Sequence, residues 1–237
     1  MDYDGDTVVI GAEGHDSSKG KGYIWTRSGT TWTQQAELQH SDQSTAGAAG
    51  FGYHVDIDKT GDAVIIGAPD VTTGSSANGA AYAFGRTGTS WTQLKKFVAN
   101  NPSSGDDFGE AVALSSDGKS LVIGANHEDT TLNNSGAAYV FSIPLWGQQQ
   151  KLQPAGIDDG DQFGNAVDIS NDGNIIVVAQ ALDDVGGTNS GSAYIFTRSG
   201  STWTQQAKIT ASTASGGNQF GHSIAISGDG GTVIIGG

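Results

Sequence analysis

The chain has 237 residues, a formal net charge of −14, 37 glycines, four prolines and no cysteine. The missing cysteine removes disulfides, thiolate metal sites and cysteine nucleophiles together, and the acidity argues against nucleic acid and anionic lipid, which need basic surfaces. No run of about 18 apolar residues occurs, so no membrane insertion is expected, and no signal peptide is visible after Met1.

In chain order, the first strand signal is TVVIGAEG at 7–14, followed by GKGYIW at 20–25 and TWTQQAEL at 31–38. Residues 1–50 read as a partial repeat. A full unit opens at Phe51-Gly52 with FGYHVDID, then AVIIGAPD, GAAYAF and the polar-aromatic SWTQLKKF. The second runs FGEAVALS, SLVIGANH, GAAYVF, LWGQQQKL from Phe108, and the third runs FGNAVDIS, IIVVAQAL, GSAYIF, TWTQQAKI from Phe163. A fourth opens at Phe220 with FGHSIAIS and ends in TVIIGG. The spacings between the Phe-Gly pairs are 57, 55 and 57 residues. Four strands in about 56 residues, separated by turn signals, predict an all-β chain of β-propeller blades, each a four-stranded antiparallel sheet. No segment carries a 3.6-residue apolar period. Residues 1–237 therefore form a single propeller region.

Side-chain size orders the strands within a blade. Val55/Ile57, Val112/Leu114, Val167/Ile169 and Ile224/Ile226 put branched residues on one face of the first strand. The other face carries small or short residues such as Ala111/Ala113 and Ala166/Asp168, as expected where sheets crowd towards a propeller axis. Tyr23, Tyr82, Tyr139 and Tyr194, with Trp32, Trp91, Trp146 and Trp203, recur once per unit and are expected to pack between blades.

A Phe-Gly opening followed by Gly-Ala(-Pro) after the second strand resembles the FG-GAP repeat of the integrin α-chain propeller and its microbial relatives. The match runs through FG…GAPD at 51–70, FG…GANH at 108–127 and the weaker FG…AQAL and FG…IGG copies. The resemblance implies a propeller used outside the cell for adhesion or ligand binding, often with calcium. It settles the fold better than the function.

Ile10 and Ile235 hold the same place in the repeat, 225 residues or four units apart. Two arrangements compete. One is a fragment of a larger ring, completed by further blades or a partner chain. The other is a closed four-bladed ring in which the 220–227 strand completes the N-terminal blade. The fragment is favoured, because closure leaves residues 231–237 duplicating 7–12, and an unpaired duplicate strand is an aggregation liability.

Strands in a blade alternate direction, so the loops between strands 2 and 3 share one rim with the blade-to-blade loops. These loops (12–22, 39–50, 68–80, 99–107, 125–137, 153–162, 180–192, 210–219) carry 13 of the 25 acidic residues against two of the 11 basic ones. Arg27, Arg86, Arg198, Lys59 and Lys119 fall on the opposite rim. The acidic rim, with Asp70, Asp106, Asp107, Glu128, Asp129, Asp158, Asp159, Asp161, Asp183 and Asp184, is the expected binding face for a protein or glycan. Carboxylates that serve only solubility are the competing explanation.

Calcium needs six to eight oxygens, commonly from carboxylates spaced by two with glycine at the bend. DIDKTGD offers Asp56, Asp58 and Asp62, and DYDGD offers Asp2, Asp4 and Asp6. Against the integrin-type loop D-x-D-x-D-G-x-x-D, implied by the resemblance, Thr60 replaces the third acid and Val64 the last. The other copies keep S-x-D-G, which reads as a hairpin turn. The five histidines show no metal-ligand spacing, and no hydrolase, zinc-protease or phosphate-loop motif is present. Asn133-Asn134-Ser135 is a glycosylation sequon on the acidic rim. The expected function is non-enzymatic binding or adhesion at a cell surface or outside the cell, with calcium as a candidate aid. A structural scaffold within a larger assembly and a propeller hydrolase or lyase are the alternatives.

Overall fold

The computed structural model describes residues 1–42, 47–73, 76–129, 132–142 and 146–237. Parts of loops 39–50, 68–80 and 125–137, and the start of the strand expected at 145–152, lie outside the described residues. The first blade has three strands, β1 (Thr7–Ala12), β2 (Lys21–Ser28) and β3 (Thr31–Leu38), in that order. The second has β4 (Val55–Ile57), β5 (Ala63–Ala68), a two-residue ribbon of β6 (Thr72–Thr73) and β7 (Ser76–Ala77), then β8 (Ala80–Thr87) and β9 (Ser90–Phe97). Its main sheet runs β4-β5-β8-β9.

The third blade is β10 (Val112–Leu114), β11 (Ser120–Ala125), β12 (Ala137–Ser142) and β13 (Gly147–Leu152). The fourth is β14 (Phe163–Ile169), β15 (Ile175–Gln180), β16 (Ser192–Ser199) and β17 (Thr202–Ile209). A final pair, β18 (Ser223–Ile226) and β19 (Val233–Gly236), forms its own two-stranded sheet. Among the described residues every ladder between these strands is antiparallel, as tight connections demand, and isolated parallel bridges join Gly20 to Phe51, Gly79 to Phe108 and Gly136 to Phe163. β18 pairs with β19 and not with β1, so the four-bladed closure does not form among the described residues and the sheets make an open arc.

The core lies between blades. Phe51, Phe108 and Phe163 are fully buried, and each meets the tyrosine of its own blade edge-on, with Phe163 5.5 Å from Tyr194 and Phe108 5.3 Å from Tyr139. Two tryptophans reach back to the preceding blade: Trp91 Nε1 donates to Gln35 at 2.9 Å and Trp203 Nε1 to Gln149 at 2.8 Å. At the equivalent position Leu94 offers no acceptor to Trp146.

The seams explain the repeat's signature residues. Between blades 3 and 4, a Cβ added at Gly124 would fall 2.0 Å from the carbonyl oxygen of Gly164, and one at Gly164 would fall 2.4 Å from that of Ala137. The Phe-Gly pair is thus wedged backbone to backbone against the neighbouring blade. The same approach recurs at Gly11/Gly52 and Gly67/Gly109. In the fourth blade, Ala179 takes the place of the second-strand glycine.

Candidate functional site

Four first strands line a cavity of about 720 Å³ on the arc's inner side, reaching up to the ends of β11 and β15 on the predicted acidic rim. Tyr53, Glu110, Asn165 and His222 hold one repeat position there, directly after Phe-Gly. Tyr53 donates its hydroxyl to Glu110 at 2.9 Å, across the seam between blades 2 and 3. Asn165 donates to the Gly221 carbonyl and accepts from the Ala181 amide, both at 3.1 Å. Gln162 and Gln219 also line the cavity, each in a left-handed backbone (φ 57° and 50°) just before its Phe-Gly. Asp107, at the same place in blade 3, has φ 55°, whereas blade 2 has Gly50 there. Left-handed non-glycine residues are strained, and such strain gathers at functional sites.

Burial sets the electrostatics. It raises the Glu110 carboxyl above its ordinary value, against the opposing pull of the Tyr53 hydroxyl. It raises Asp70 and Asp168 likewise. His127 moves the other way from a buried imidazole: its hydrogen bond to Asp107, 2.6 Å from Nδ1, favours the charged ring. Its Nε2 lies 2.8 Å from the Gln162 amide nitrogen, so the Asp107–His127 pair ends on an amide and not on a hydroxyl.

At the base of the cavity, Asp56 accepts the amide of Ile57 at 2.8 Å and, across the seam, that of Leu114 at 2.7 Å. Asp168 repeats the pattern with Ile169 at 2.8 Å and Ile226 at 2.7 Å. First strands are sheet edges, and their inward amides have no ladder partner. One carboxylate with two oxygens serves two blades, which accounts for the alternation Asp56, Ala113, Asp168, Ala225. Burial pushes Asp56 up to about 6.

The carboxylates proposed for calcium are spent elsewhere. Asp58 Oδ1 accepts the amides of Asp62 and Ala63, both at 2.9 Å, and Oδ2 accepts the Thr60 hydroxyl at 2.7 Å. Asp62 pairs with Arg86 at 2.8 Å. In the N-terminal turn, Asp2 accepts the amides of Asp6 and Thr7, Asp6 pairs with Arg27 at 3.0 Å, and Asp4 is exposed. Asp2 and Asp58 are the counterparts of Ser115, Ser170 and Ser227, whose hydroxyls accept the same hairpin amides in Ser120, Ile175 and Thr232. Among the described residues no three His, Cys, Asp or Glu side chains converge as a metal site. These residues do not fit calcium; they cap turns. Asp58→Ala is expected to cost about 1–3 kcal/mol in urea unfolding, the loss of buried acceptors, by the same amount in millimolar Ca²⁺ and in EDTA. A calcium-induced rise in the wild-type midpoint that vanishes in the variant would restore the metal loop.

The acidic rim divides in two. Asp106, Glu128, Asp161 and Asp183 are buried. Glu128 pairs with Lys151 at 2.7 Å and Asp183 with Lys208 at 2.5 Å, each lysine lying over its blade's tyrosine. Asp161 accepts from Gln180 at 2.5 Å and from the Asp158 amide at 2.7 Å, and Asp106 accepts the Ser103 amide at 2.6 Å. Asp70, Asp129, Asp158, Asp159 and Asp184 are exposed, and Asp107 is half-buried against His127. Asp129, Asp159 and Asp184 each accept one loop amide, from Asn134, Asn133 and Asn189.

The cavity residues Tyr53, Glu110, Asn126, Gln162 and Gln219 were not among the sequence candidates. The signal was present: aligned repeats agree in strands 2 to 4 and disagree directly after Phe-Gly. A family model described as FG-GAP repeat matches residues 32–84, 91–141, 146–196 and 203–237. Comparison with curated proteins finds no match.

Proposed function

The chain belongs to the FG-GAP repeat family, and from that premise we propose that it is a non-catalytic binding module, extracellular or held at a cell surface, recognising a protein or glycan. The ligand seats on the rim onto which the 720 Å³ cavity opens. One observation carries this reading: blades that agree closely along their third strands, GAAYAF, GAAYVF and GSAYIF, diverge at the cavity mouth, in Tyr53, Glu110 and Asn165, with His222 at the same place in the last copy. A surface kept only for folding has no need of such divergence. Strained backbone at Asp107, Gln162 and Gln219 beside it supports the same face. Calcium is not part of this reading. The extracellular placement rests on the family resemblance.

The test is a screen of glycans and surface-protein fragments on the immobilised chain, repeated with two variants. Neutralising the exposed rim acids Asp158, Asp159 and Asp184 to asparagine is expected to weaken capture and flatten its salt dependence. Neutralising Asp4 and Asp117 on the opposite rim is expected to leave capture unchanged. The reverse pattern would refute the assignment. A second reading, a scaffold segment completed by a partner chain or further blades, is favoured by the exposure of Ile10 (48%) and Ile234 (71%) at the two ends of the arc.

A further inference from the structure

His127 follows β11 and joins two linkers that are far apart in the chain. Its Nδ1 lies 2.6 Å from Asp107, between blades 2 and 3, and its Nε2 lies 2.8 Å from the Gln162 amide nitrogen, between blades 3 and 4. Asp107 and Gln162 each precede a Phe-Gly pair, with φ 55° and 57°. The array is not part of the repeat. Asp70 and Leu182 hold the place of His127 in blades 2 and 4, so a blade folds without it. An ionised carboxylate only accepts, which keeps a proton on Nδ1 in both charge states of the ring. Nε2 is therefore the nitrogen that titrates. While neutral it accepts from the Gln162 NH2 group; once protonated it donates, and needs the Gln162 Oε1 instead. The two ends of a primary amide exchange places by a half-turn about the last side-chain bond. Among the described residues no other group bonds this amide, and Gln162 is half-buried and lines the cavity.

The charges facing the ring are acidic. Asp107 and Glu110 flank Phe108, and Asp129 stands on the loop of His127 itself. Asp70 lies beyond Asp107, and the linker between blades 3 and 4 contributes the uncharged Gln162. The Asp107 hydrogen bond, opposed by burial, raises the ring above its ordinary value of 6.5.

We propose that His127 is a pH switch that turns the Gln162 side-chain amide end for end, presenting the cavity mouth with an acceptor while the ring is neutral and a donor once it is charged. The switch belongs to the folded chain; its bearing on capture rests on the proposed rim function.

The experiment is nuclear magnetic resonance on the whole nitrogen-15-labelled chain, titrated from about pH 9 to about pH 5 across the histidine range. At the alkaline end a through-hydrogen-bond coupling between Gln162 Nε2 and His127 Nε2 is expected. It should vanish at the acid end, and the Gln162 NH2 resonances should move with the same midpoint as the His127 ring. Asp107→Asn keeps an acceptor for Nδ1 and removes the charge, so it is expected to lower both midpoints together by about one pH unit or more. His127→Leu, which copies Leu182 and is checked for an unchanged melting profile, should leave the Gln162 resonances flat. A coupling present at both ends, or at neither, overturns the switch. So does a Gln162 titration that persists in His127→Leu, which would assign it to Glu110. With a rim ligand in hand, wild-type affinity is expected to change at least about threefold more than that of His127→Leu across the midpoint, the scale of one neutral hydrogen bond. Equal pH dependence in the two chains overturns the switch's part in recognition. A turning amide with no macromolecule captured supports the switch and sinks the rim reading; capture without a turning amide sinks the switch alone.

Discussion

Asp56→Ala is expected to cost the fold about 2–4 kcal/mol at neutral pH, because it strips two amide groups of their acceptor in one step. Both amides belong to buried residues, Ile57 and Leu114, each 7% exposed, and they sit in different blades. The loss is therefore a loss of inter-blade cohesion. In urea the midpoint should fall, with an unchanged slope if the arc still unfolds as a unit. Ala113→Asp is the control. Its new carboxylate would find the Leu114 amide held by Asp56 and the Ile169 amide held by Asp168, so it too should destabilise. If Ala113→Asp is neutral, the alternation of acid and alanine has some other cause. The pH dependence has a definite sign. Burial raises Asp56 from 3.8 to about 6, so the folded chain holds this proton more tightly than the unfolded one. Its stabilising contribution is full below pH 3.8 and is lost as pH rises through about 6. The deficit of Asp56→Ala should therefore widen as the buffer goes from pH 7 to pH 4.

Gly164→Ala is expected to cost about 3 kcal/mol or more, combining backbone strain with overpacking at a seam. Gly164 has φ 97°, and its new methyl would lie 2.4 Å from the Ala137 carbonyl oxygen, which is backbone and cannot swing away. Gly200→Ala separates the two causes. Gly200 also has a positive φ, 63°, but nothing lies within 4 Å of its added Cβ. It should cost only about 1–2 kcal/mol, the strain of one left-handed L-residue. Equal costs at the two positions would mean that the Phe-Gly glycine serves its own turn and not the packing of blades.

The blade order, the strand boundaries and the division into two rims were legible because the repeat fixes them locally. Turn residues such as Ser170-Asn171-Asp172-Gly173 show where a hairpin reverses, and the small face of the first strand shows which side has no room. The candidate site was less legible, for two physical reasons. Glu128 and Asp183 lie on loops, and a loop carboxylate looks solvated until Lys151 and Lys208 are seen reaching back from the fourth strand. A recurring lysine in KKF, QKL and AKI was the available hint. Asp56 gave a second misleading signal. Its spacing from Asp58 and Asp62 suggested a cation loop, while its partner across the seam is an amide 58 residues away on the next blade, as Asp168 repeats. Such a contact depends on how blades stack and has no trace in a single repeat. The cavity mouth was hidden for a related reason: it belongs to no blade alone and is seen only as disagreement between aligned copies.

The most direct test of the central claim, that the cavity rim is the binding face, is amide hydrogen exchange on the chain with and without a ligand captured in the screen. Added protection is predicted around 52–56, 107–112, 126–129, 162–166 and 219–224. Protection confined to the hairpin turns at 58–62, 115–119 and 170–174, or to the fourth strands at 31–38, 90–97 and 202–209, would contradict it.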